Sequence, residues 1–227
     1  WTPPPTDAVG WWRGENNAVD VAGLNHGANT GATFTPGKVG QAFNFNGSSG
    51  EIQIPHHTDW NLGSADFTIE TWIQPNAVGS DTSVIGHTSL ASEQPYWQFG
   101  LMNSGGPYGQ GLSFFVFDGG TSIGAVNQGT WSGWAAGEWA HIAVTRLGNT
   151  WTLYKNGAQV ATNTTALVVP SNSFTLNIGH TWGNPVFNGA IDEPAIYKRA
   201  LSSAEIAAIH AAGNEGHGAI RRDPETI

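Results

Sequence analysis

The chain has 227 residues, of which 11% are charged and 11% aromatic, with 31 glycines and no cysteine. Its 17 acidic and 8 basic residues give a net charge of −9, which argues against a nucleic acid or an anionic membrane as a partner. The lack of cysteine excludes disulfides and thiolate metal sites, and no apolar run approaches the roughly 18 residues that span a bilayer. Abundant glycine and aromatic residues favour an all-β fold, and the length suits one large β domain.

The chain starts with Trp1, followed by Thr-Pro-Pro-Pro. Proline-rich stretches are stiff and extended, so residues 1–8 are predicted to be a linker. The sequence is interpreted as a module excised from a longer protein, with other domains of the same parent chain as partners. The domain is predicted to span residues 9–213. Residues 214–227 have no hydrophobic periodicity and are predicted to be a tail or a second linker.

Short runs of β-branched and aromatic residues, separated by clusters of Gly, Asn, Asp, Ser or Pro, predict a series of strands. The predicted strands are 9–12, 43–45, 51–54, 67–75, 83–87, 96–102, 111–117, 124–126, 140–146, 151–155, 159–163, 174–178 and 190–197. More than ten short strands with regular turns predict a two-sheet antiparallel jelly-roll sandwich.

Residues 139–162 carry the clearest local signal in the chain. Asn156-Gly157 is typical of a two-residue hairpin turn, in which both residues need a positive φ. The preceding run alternates, with Ile142 and Val144 on one face and His141 and Ala143 on the other. This period of two predicts half-buried antiparallel strands joined as hairpins.

One short C-terminal helix is predicted after the last strand. Ser202 to Glu205 forms a capping box, flanked by Leu201 and Ile206 as a hydrophobic staple. Gly213 is suited to the position just beyond the helix end, where the backbone often turns left-handed.

The sequence Ile-Gly-His-Thr occurs at residues 85–88 and again at 178–181. Chance similarity of two strand ends explains this echo, because four residues do not establish a repeat. The alternative is that the two loops lie side by side at a shared rim, which would bring His87 and His180 together. Two loop imidazoles that hydrogen-bond to the backbone are the competing explanation.

Several aromatic residues lie in segments rich in Gly, Ser and Asn and are candidates for ligand contact. The candidate ligand-binding residues are Tyr96, Trp97, Trp131, Trp134, Trp182, His87, His180 and Asn188. Sugar rings stack their C–H faces on aromatic planes, while amide side chains orient the hydroxyl groups. Large aromatic residues also dominate sandwich cores, so core packing is the alternative for each of them.

Blocks along most of the chain match a known family pattern. They include Gly10-Trp11-Trp12, residues 17–20, 25–27 and 36–43, Phe45-Asn46-Gly47, residues 67–73, the hairpins at 139–162, residues 187–193 and residues 197–202. The chain resembles the laminin-G-like, concanavalin A-like lectin/glucanase superfamily over residues 9–213. This resemblance implies a jelly-roll fold and a secreted or cell-surface bacterial protein, but it does not specify a function.

The resemblance also implies a structural calcium ion. Asp192 in the last-strand motif matches the calcium-binding aspartate of related folds, with Asp20, His26 and Gly47 at the other matching positions. Calcium takes six to eight oxygen ligands, which carboxylates and loop carbonyls supply. The alternative is that Asp192 accepts hydrogen bonds from backbone amides.

Catalysis is not expected. Glycoside hydrolysis needs two carboxylates that flank the bond, and glucanases of this superfamily carry a Glu-x-Asp-x-x-Glu run that this chain lacks; Glu70 and Glu138 are isolated. There is no Gly-x-Ser-x-Gly elbow. The leading hypothesis is therefore a non-catalytic module that binds a poly- or oligosaccharide. The alternatives are a protein-adhesion or spacer module, for which Trp97, Trp131, Trp134 and Trp182 would be buried, and a polysaccharide-active enzyme with a non-standard site.

Overall fold

The protein is described by a computed structural model, which covers residues 7–91 and 94–213. The predicted tail at 214–227 and most of the predicted linker at 1–8 lie outside this part of the chain, and Ala8 already belongs to the first strand. The described residues form fifteen strands and one α-helix. They are β1 (Ala8–Trp11), β2 (Ala28–Thr30), β3 (Thr33–Pro36), β4 (Gln41–Asn46), β5 (Glu51–Ile54), β6 (Phe67–Pro75), β7 (Thr82–His87), β8 (Tyr96–Gly105), β9 (Gly109–Phe117), β10 (Ser122–Asn127), β11 (Ala140–Leu147), β12 (Thr150–Lys155), β13 (Ala158–Thr164), β14 (Leu176–Ile178), β15 (Asn188–Tyr197) and α1 (Ser203–Ala212).

The strands form two antiparallel sheets. The eight-stranded sheet has the order β13-β12-β11-β6-β15-β4-β3, and β1 also pairs with β15. The seven-stranded sheet has the order β10-β9-β8-β7-β14-β5-β2. Neighbours that are distant in sequence, such as β6 and β15, confirm the predicted jelly-roll sandwich. The short strands β2 and β3 were not predicted, because residues 28–36 carry Asn, Thr and Gly without a clear apolar alternation.

The main core lies between the two sheets. Its large aromatic side chains come from both sheets and from the loops that close the sandwich, and Trp12, Trp60, Trp97 and Trp151 are fully buried. Rings from the two sheets also contact each other across the core. The centroids of the Phe114 ring on β9 and the Trp151 ring on β12 are 5.4 Å apart. Burying such large apolar surfaces is the main favourable term in folding.

The predicted hairpins are present. Asn156 and Gly157 connect β12 to β13 with φ values of 51° and 77°, the left-handed region that this turn requires. The alternation in β11 is also confirmed, since Ile142 and Val144 belong to the main core while Ala143 lies on the opposite face. That opposite face is nevertheless buried, so the prediction of half-buried strands was wrong for β11.

Helix α1 explains why this second face is buried. Ser202 caps the helix by accepting a hydrogen bond from the Glu205 N–H, and the Glu205 carboxylate accepts one from the Ser202 N–H, so the predicted capping box is confirmed. Ile206 and Ile209 pack with Tyr197 on the side of the eight-stranded sheet that faces away from the main core. We call this side the helix-covered face.

No helix in the described ranges is long and apolar enough to cross a membrane.

Candidate ligand-binding site

The seven-stranded sheet carries an aromatic cluster on the side that faces away from the main core. Tyr96, Met102, Phe115 and Phe117 are buried there and form a cluster separate from the core. Strand alternation explains the separation, because Tyr96 and Trp97 are successive residues of β8 and point to opposite sides of the sheet. We call these four residues, with the partly buried Tyr108 and Trp182 that pack on them, the outer aromatic cluster.

Tyr108 covers one side of this cluster. Its ring meets Phe115 edge to face with a centroid distance of 4.8 Å, and its hydroxyl donates to Ser122 Oγ at 2.6 Å. Gly105, just before the turn that carries Tyr108, has φ 66° and ψ −154°, a conformation that only glycine adopts without strain. The β8–β9 connection can therefore fold back over the sheet and leave Tyr108 half-buried.

A network of amide and hydroxyl groups holds Trp182 over the other side. The Gln98 side chain donates to the Trp182 carbonyl at 2.9 Å, and its Oε1 accepts from Ser83 Oγ and from Asn184 Nδ2, each at 2.5 Å. Gln98 is fully buried, and its hydrogen bonds fix the loop after β14 onto the sheet. The partly exposed Trp182 ring thus lies next to the half-buried amide of Asn184, a combination that suits a sugar ring.

Trp131 and Trp134 lie in the connection between β10 and β11. The Trp131 Nε1–H donates to Asn103 Oδ1 at 2.9 Å, which ties this connection to the end of β8. Trp134 donates to Gln128 Oε1 at 2.9 Å and lies under the Lys155 ammonium group at 4.2 Å from the ring centroid. Both rings pack partly against the main core, so each has one buried and one accessible side.

The expectation that Trp97 contacts a ligand must be corrected. Its ring is fully buried in the main core and stacks on Phe114 at 5.7 Å, and its Nε1–H donates to the Trp60 carbonyl at 2.9 Å. The alternation of Trp97, Phe99 and Leu101 already places these three residues on one face of a strand. Tyr96 lies on the other face, as a buried member of the outer aromatic cluster that is only 7% exposed.

His87 and His180 do not meet, and the idea that their loops lie side by side was wrong. Strands β7 and β14 are antiparallel, with His87 opposite Leu176 and Ile85 opposite Ile178, so the two histidines lie toward opposite ends of this pair. The His180 Nδ1–H donates to Glu51 Oε2 at 3.0 Å.

His87 is buried next to the core. Its Nε2–H donates to the Phe174 carbonyl at 2.9 Å, and its ring stacks on that of His56, an interaction that was not predicted. Burial lowers the pKa of His87 to about 4. The imidazole is therefore neutral at physiological pH and is not accessible to a ligand in this fold.

Asn188 is exposed at the start of β15. Its Oδ1 accepts from Asn76 Nδ2 at 3.0 Å, and it lies directly beside Gly47, where an added Cβ would come 3.0 Å from the Asn188 Cβ. Asn188 therefore remains a candidate at the edge of the sandwich. Gln98, Ser83 and Phe115 were missed as site residues. The signal that could have found Gln98 and Phe115 is their position on the strand face opposite the core residues.

Two of the predicted calcium ligands, Asp20 and His26, lie in one loop and contact each other. Both carboxylate oxygens of Asp20 accept backbone hydrogen bonds, from the amides of Trp11 and Ala22 and from that of Asn25. The His26 Nδ1 accepts from the Asp20 N–H at 3.2 Å. Within residues 7–91 and 94–213, no three His, Cys, Asp or Glu side chains are grouped for a metal ion. Asp20 and His26 therefore stabilise their own loop.

Asp192 is different because one of its oxygens has no partner. Its Oδ2 accepts from the Val39 N–H at 2.8 Å, while the buried Oδ1 has no hydrogen-bond partner among the described residues. The pKa of Asp192 is raised to about 8, mainly by burial and also by the carboxylates of Glu193 and Glu15, against the lowering effect of the backbone hydrogen bonds from Val39 and Lys38. Of the four predicted ligands, Asp192 is the one with an unsatisfied side-chain oxygen.

Glu70 has no exposed surface in this fold. It is buried on the helix-covered face, where its Oε2 lies 2.9 Å from His141 Nε2 and its Oε1 accepts a hydrogen bond from Tyr197 at 3.3 Å. Burial, followed by the charge of Glu70, raises the pKa of Tyr197 well above its usual range. This group is a buried polar network beneath α1.

Comparison with solved structures identifies several similar folds. Domain 4 of an extracellular arabinanase from Geobacillus stearothermophilus, solved in complex with arabinotriose, is 19% identical with a TM-score of 0.73, and the match covers 89% of this chain and 97% of that one. The binding domain of Paraclostridial Mosquitocidal Protein 1 is 20% identical with a TM-score of 0.68, covering 90% of this chain and 52% of that one. A sialidase from Trypanosoma rangeli is 14% identical with a TM-score of 0.64, covering 92% of this chain but only 33% of the sialidase. At these identities the likeness shows the fold alone.

No curated protein matches the chain. A sequence model of the concanavalin A-like lectin/glucanases superfamily matches residues 46–207, which is more than half of the chain. The order of the strands, the two sheets and this match agree with one another. The chain belongs to the concanavalin A-like lectin/glucanase superfamily.

Proposed function

We propose that this chain is a non-catalytic, lectin-like module that binds a poly- or oligosaccharide as part of a larger secreted or cell-surface protein. The observation that carries the proposal is the outer aromatic cluster, where the partly exposed rings of Tyr108 and Trp182 flank the amide network of Gln98 and Asn184. Aromatic planes and fixed amides are the groups with which proteins hold neutral sugar rings.

The similar structures support this proposal. An arabinanase domain was solved with arabinotriose, and a second similar domain is the binding domain of a toxin. The arabinanase is extracellular, which is consistent with the proposed location of this chain. We also take other domains of the parent protein as the partners that would use the bound sugar.

The seven-stranded sheet gives little support for catalysis. Its strands carry one carboxylate, Glu51, which accepts a hydrogen bond from His180. Glycoside hydrolysis uses two carboxyl groups on either side of the bond. Incubation with a panel of polysaccharides and assay of reducing ends tests the enzymatic alternative, and the expected result is no release.

A glycan array tests binding, with Trp182→Ala as the site variant and Leu147→Ala as the control. Leu147 is 64% exposed at the end of β11 in the other sheet, so its loss should leave binding unchanged. Loss of an aromatic contact at the centre of a binding site typically costs about 2 kcal/mol or more, so Trp182→Ala should weaken binding at least tenfold. A folded protein that binds no glycan, or equal affinities of the two variants, would refute the proposal.

A second candidate function is protein adhesion. The loop after Trp12 exposes three aliphatic side chains, Val19 (42%), Val21 (50%) and Leu24 (88%), and Asp20 holds this loop in place through three backbone amides. Ordered exposed apolar side chains are typical of protein contacts. The burial of Trp97 also agrees with this alternative. Absence of glycan binding, together with capture of a protein partner that Leu24→Ser abolishes, would favour it.

The structural calcium ion is a separate proposal that rests on Asp192. A buried carboxyl group with an unpartnered oxygen and acidic neighbours lacks a neutralising group, and a bound cation would supply the missing positive charge. Calcium that binds only the folded state raises the melting temperature. We expect EDTA to lower the melting temperature, calcium to restore it, and Asp192→Asn to abolish the response. An unchanged transition after chelation would remove the site.

A further inference from the structure

The basic residues of the chain are distributed very unevenly. From residue 39 to residue 145 the sequence contains no lysine or arginine. This stretch includes five of the seven strands of the seven-stranded sheet, namely β5, β7, β8, β9 and β10, and the remaining strands β2 and β14 also lack cations. The sheet that carries the outer aromatic cluster therefore presents no basic side chain from any of its strands.

The described basic residues lie elsewhere, and each already has a contact. They are Arg13 with Glu193, Lys38 over the ring of Trp72, Arg146 with the Gly63 carbonyl, Lys155 with Trp134, Lys198 with Asp59, and Arg199 with Glu205. Lys155 contacts the connection between β10 and β11, where its ammonium group donates to the Gly133 carbonyl, and Arg146 and Lys198 contact the connection between β5 and β6. The contacts of these six side chains all lie outside the outer aromatic cluster.

Acidic side chains lie at the edges of the same sheet. Asp118 forms the turn that follows Phe117 by accepting hydrogen bonds from the amides of Gly120 and Thr121, and these bonds lower its pKa. Asp81 accepts from the amides of Asn103 and Ser104 at the end of β8. Asp118 and Asp81 therefore place negative charge at opposite ends of β8, the strand that carries Tyr96 and Met102 of the outer aromatic cluster, and Glu51 lies further away on β5.

We infer that the sugar bound at the outer aromatic cluster is a neutral one, without carboxylate, sulfate or phosphate groups. This inference rests on the proposed function and names the ligand class of the same site. Protein sites bind anionic groups through charge-assisted hydrogen bonds from arginine or lysine. Without them an acidic sugar loses its hydration with no charged partner in return and meets like charges at the rim. We therefore expect this site to reject acidic sugars such as sialic acid and uronic acids.

The test uses an array that carries neutral and anionic glycans, followed by calorimetry at pH 8 in low salt. The strongest neutral binder is compared with the same glycan oxidised at C6 to a carboxylate. We expect the oxidised form to bind at least about tenfold more weakly, because like charges within several ångströms oppose binding by an energy of that size.

A matched pair of variants asks whether charge is the cause. Thr121 is exposed beside Ser122, the hydrogen-bond partner of Tyr108, and its contacts to Asp118 use only its backbone. Thr121→Lys should recover much of the affinity for the oxidised glycan, while Thr121→Gln, which has a long neutral side chain, should not.

The outcomes separate the two proposals. Binding of neutral glycans with rejection of their oxidised forms supports both. Preference for anionic glycans, or equal binding of the neutral glycan and its oxidised form, overturns the inference on ligand class. Either result leaves the lectin-like function standing. A folded protein that binds no glycan on the array overturns both.

Discussion

The two sheets present outer faces of different character. The helix-covered face of the eight-stranded sheet is closed by α1, which buries Ile206 and Ile209 against Tyr197 and encloses the Glu70–His141 pair. The outer face of the seven-stranded sheet is covered only by loops, and Tyr108 and Trp182 remain partly exposed there.

We expect the helix-covered face to contribute to stability and the outer face of the seven-stranded sheet to contribute to recognition of a ligand. A helix with a capping box closes one face permanently, so the polar groups beneath it are structural. Loops that carry aromatic rings over the other face leave surface for a ligand, because loops are the segments that proteins use to present binding groups on a rigid scaffold. Variants on the first face should change stability without changing affinity, and variants on the second should change affinity.

The largest effect is expected from Glu70→Ala. Removal of this buried carboxylate leaves His141 and the Tyr197 hydroxyl without the hydrogen-bond partner that they share, and each buried polar group left unsatisfied typically costs about 1–3 kcal/mol. Urea unfolding should show this loss in the free energy of unfolding, whereas the control Glu138→Ala, at an exposed position, should change it by less than about 0.5 kcal/mol. Equal stabilities of the two variants would show that the helix-covered face does not depend on the pair.

The second effect is a pH dependence that His87 produces. Its folded-state pKa of about 4 lies below the ordinary value of 6.5, so the unfolded chain binds an extra proton between these values. The contribution of the neutral His87 to the free energy of unfolding is thus fully present above pH 6.5. It falls by roughly 3 kcal/mol as the pH drops toward 4. His87→Gln should flatten this part of the pH profile in urea titrations. The control His57→Gln, where the imidazole is 47% exposed, should retain the slope.

Gln98→Met tests the amide network beneath Trp182. It removes the partner of the Trp182 carbonyl and one hydrogen bond each from Ser83 and Asn184, which still bond to each other, and such losses typically cost about 1–3 kcal/mol. The variant should be less stable and should bind the array ligand more weakly, because the loop that carries Trp182 loses its anchor. Normal affinity in the folded variant would show that the network does not position the ring. Gln110→Met, at an exposed position of β9, is the control.

The smallest effect is expected at the helix cap. Ser202→Ala removes the acceptor for the Glu205 N–H and should reduce stability by about 1 kcal/mol. Thermal melting measures this change, with Ser203→Ala as a neighbouring control that has no such role. Glycan affinity should stay constant in both variants, and a change in affinity would break the distinction between the two faces.

Local chemistry made several features predictable. The Asn156-Gly157 turn and the Ser202 capping box depend on a few neighbouring residues, and both are present as predicted. Trp97 was misassigned because its loop-like surroundings were given more weight than the alternation with Phe99 and Leu101. The separation of His87 and His180 required the antiparallel pairing of β7 with β14, which joins segments about ninety residues apart in the chain.

The all-β sandwich, the hairpins and the terminal helix could be predicted from the sequence, because turn residues and a period of two act over short distances. The absence of lysine and arginine from residue 39 to residue 145 can also be read from the sequence, since charge is a property of composition. The sequence does not show which face of each sheet stays accessible. That outcome depends on where α1, Tyr108 and Trp182 pack, and those contacts join residues that the sequence leaves far apart.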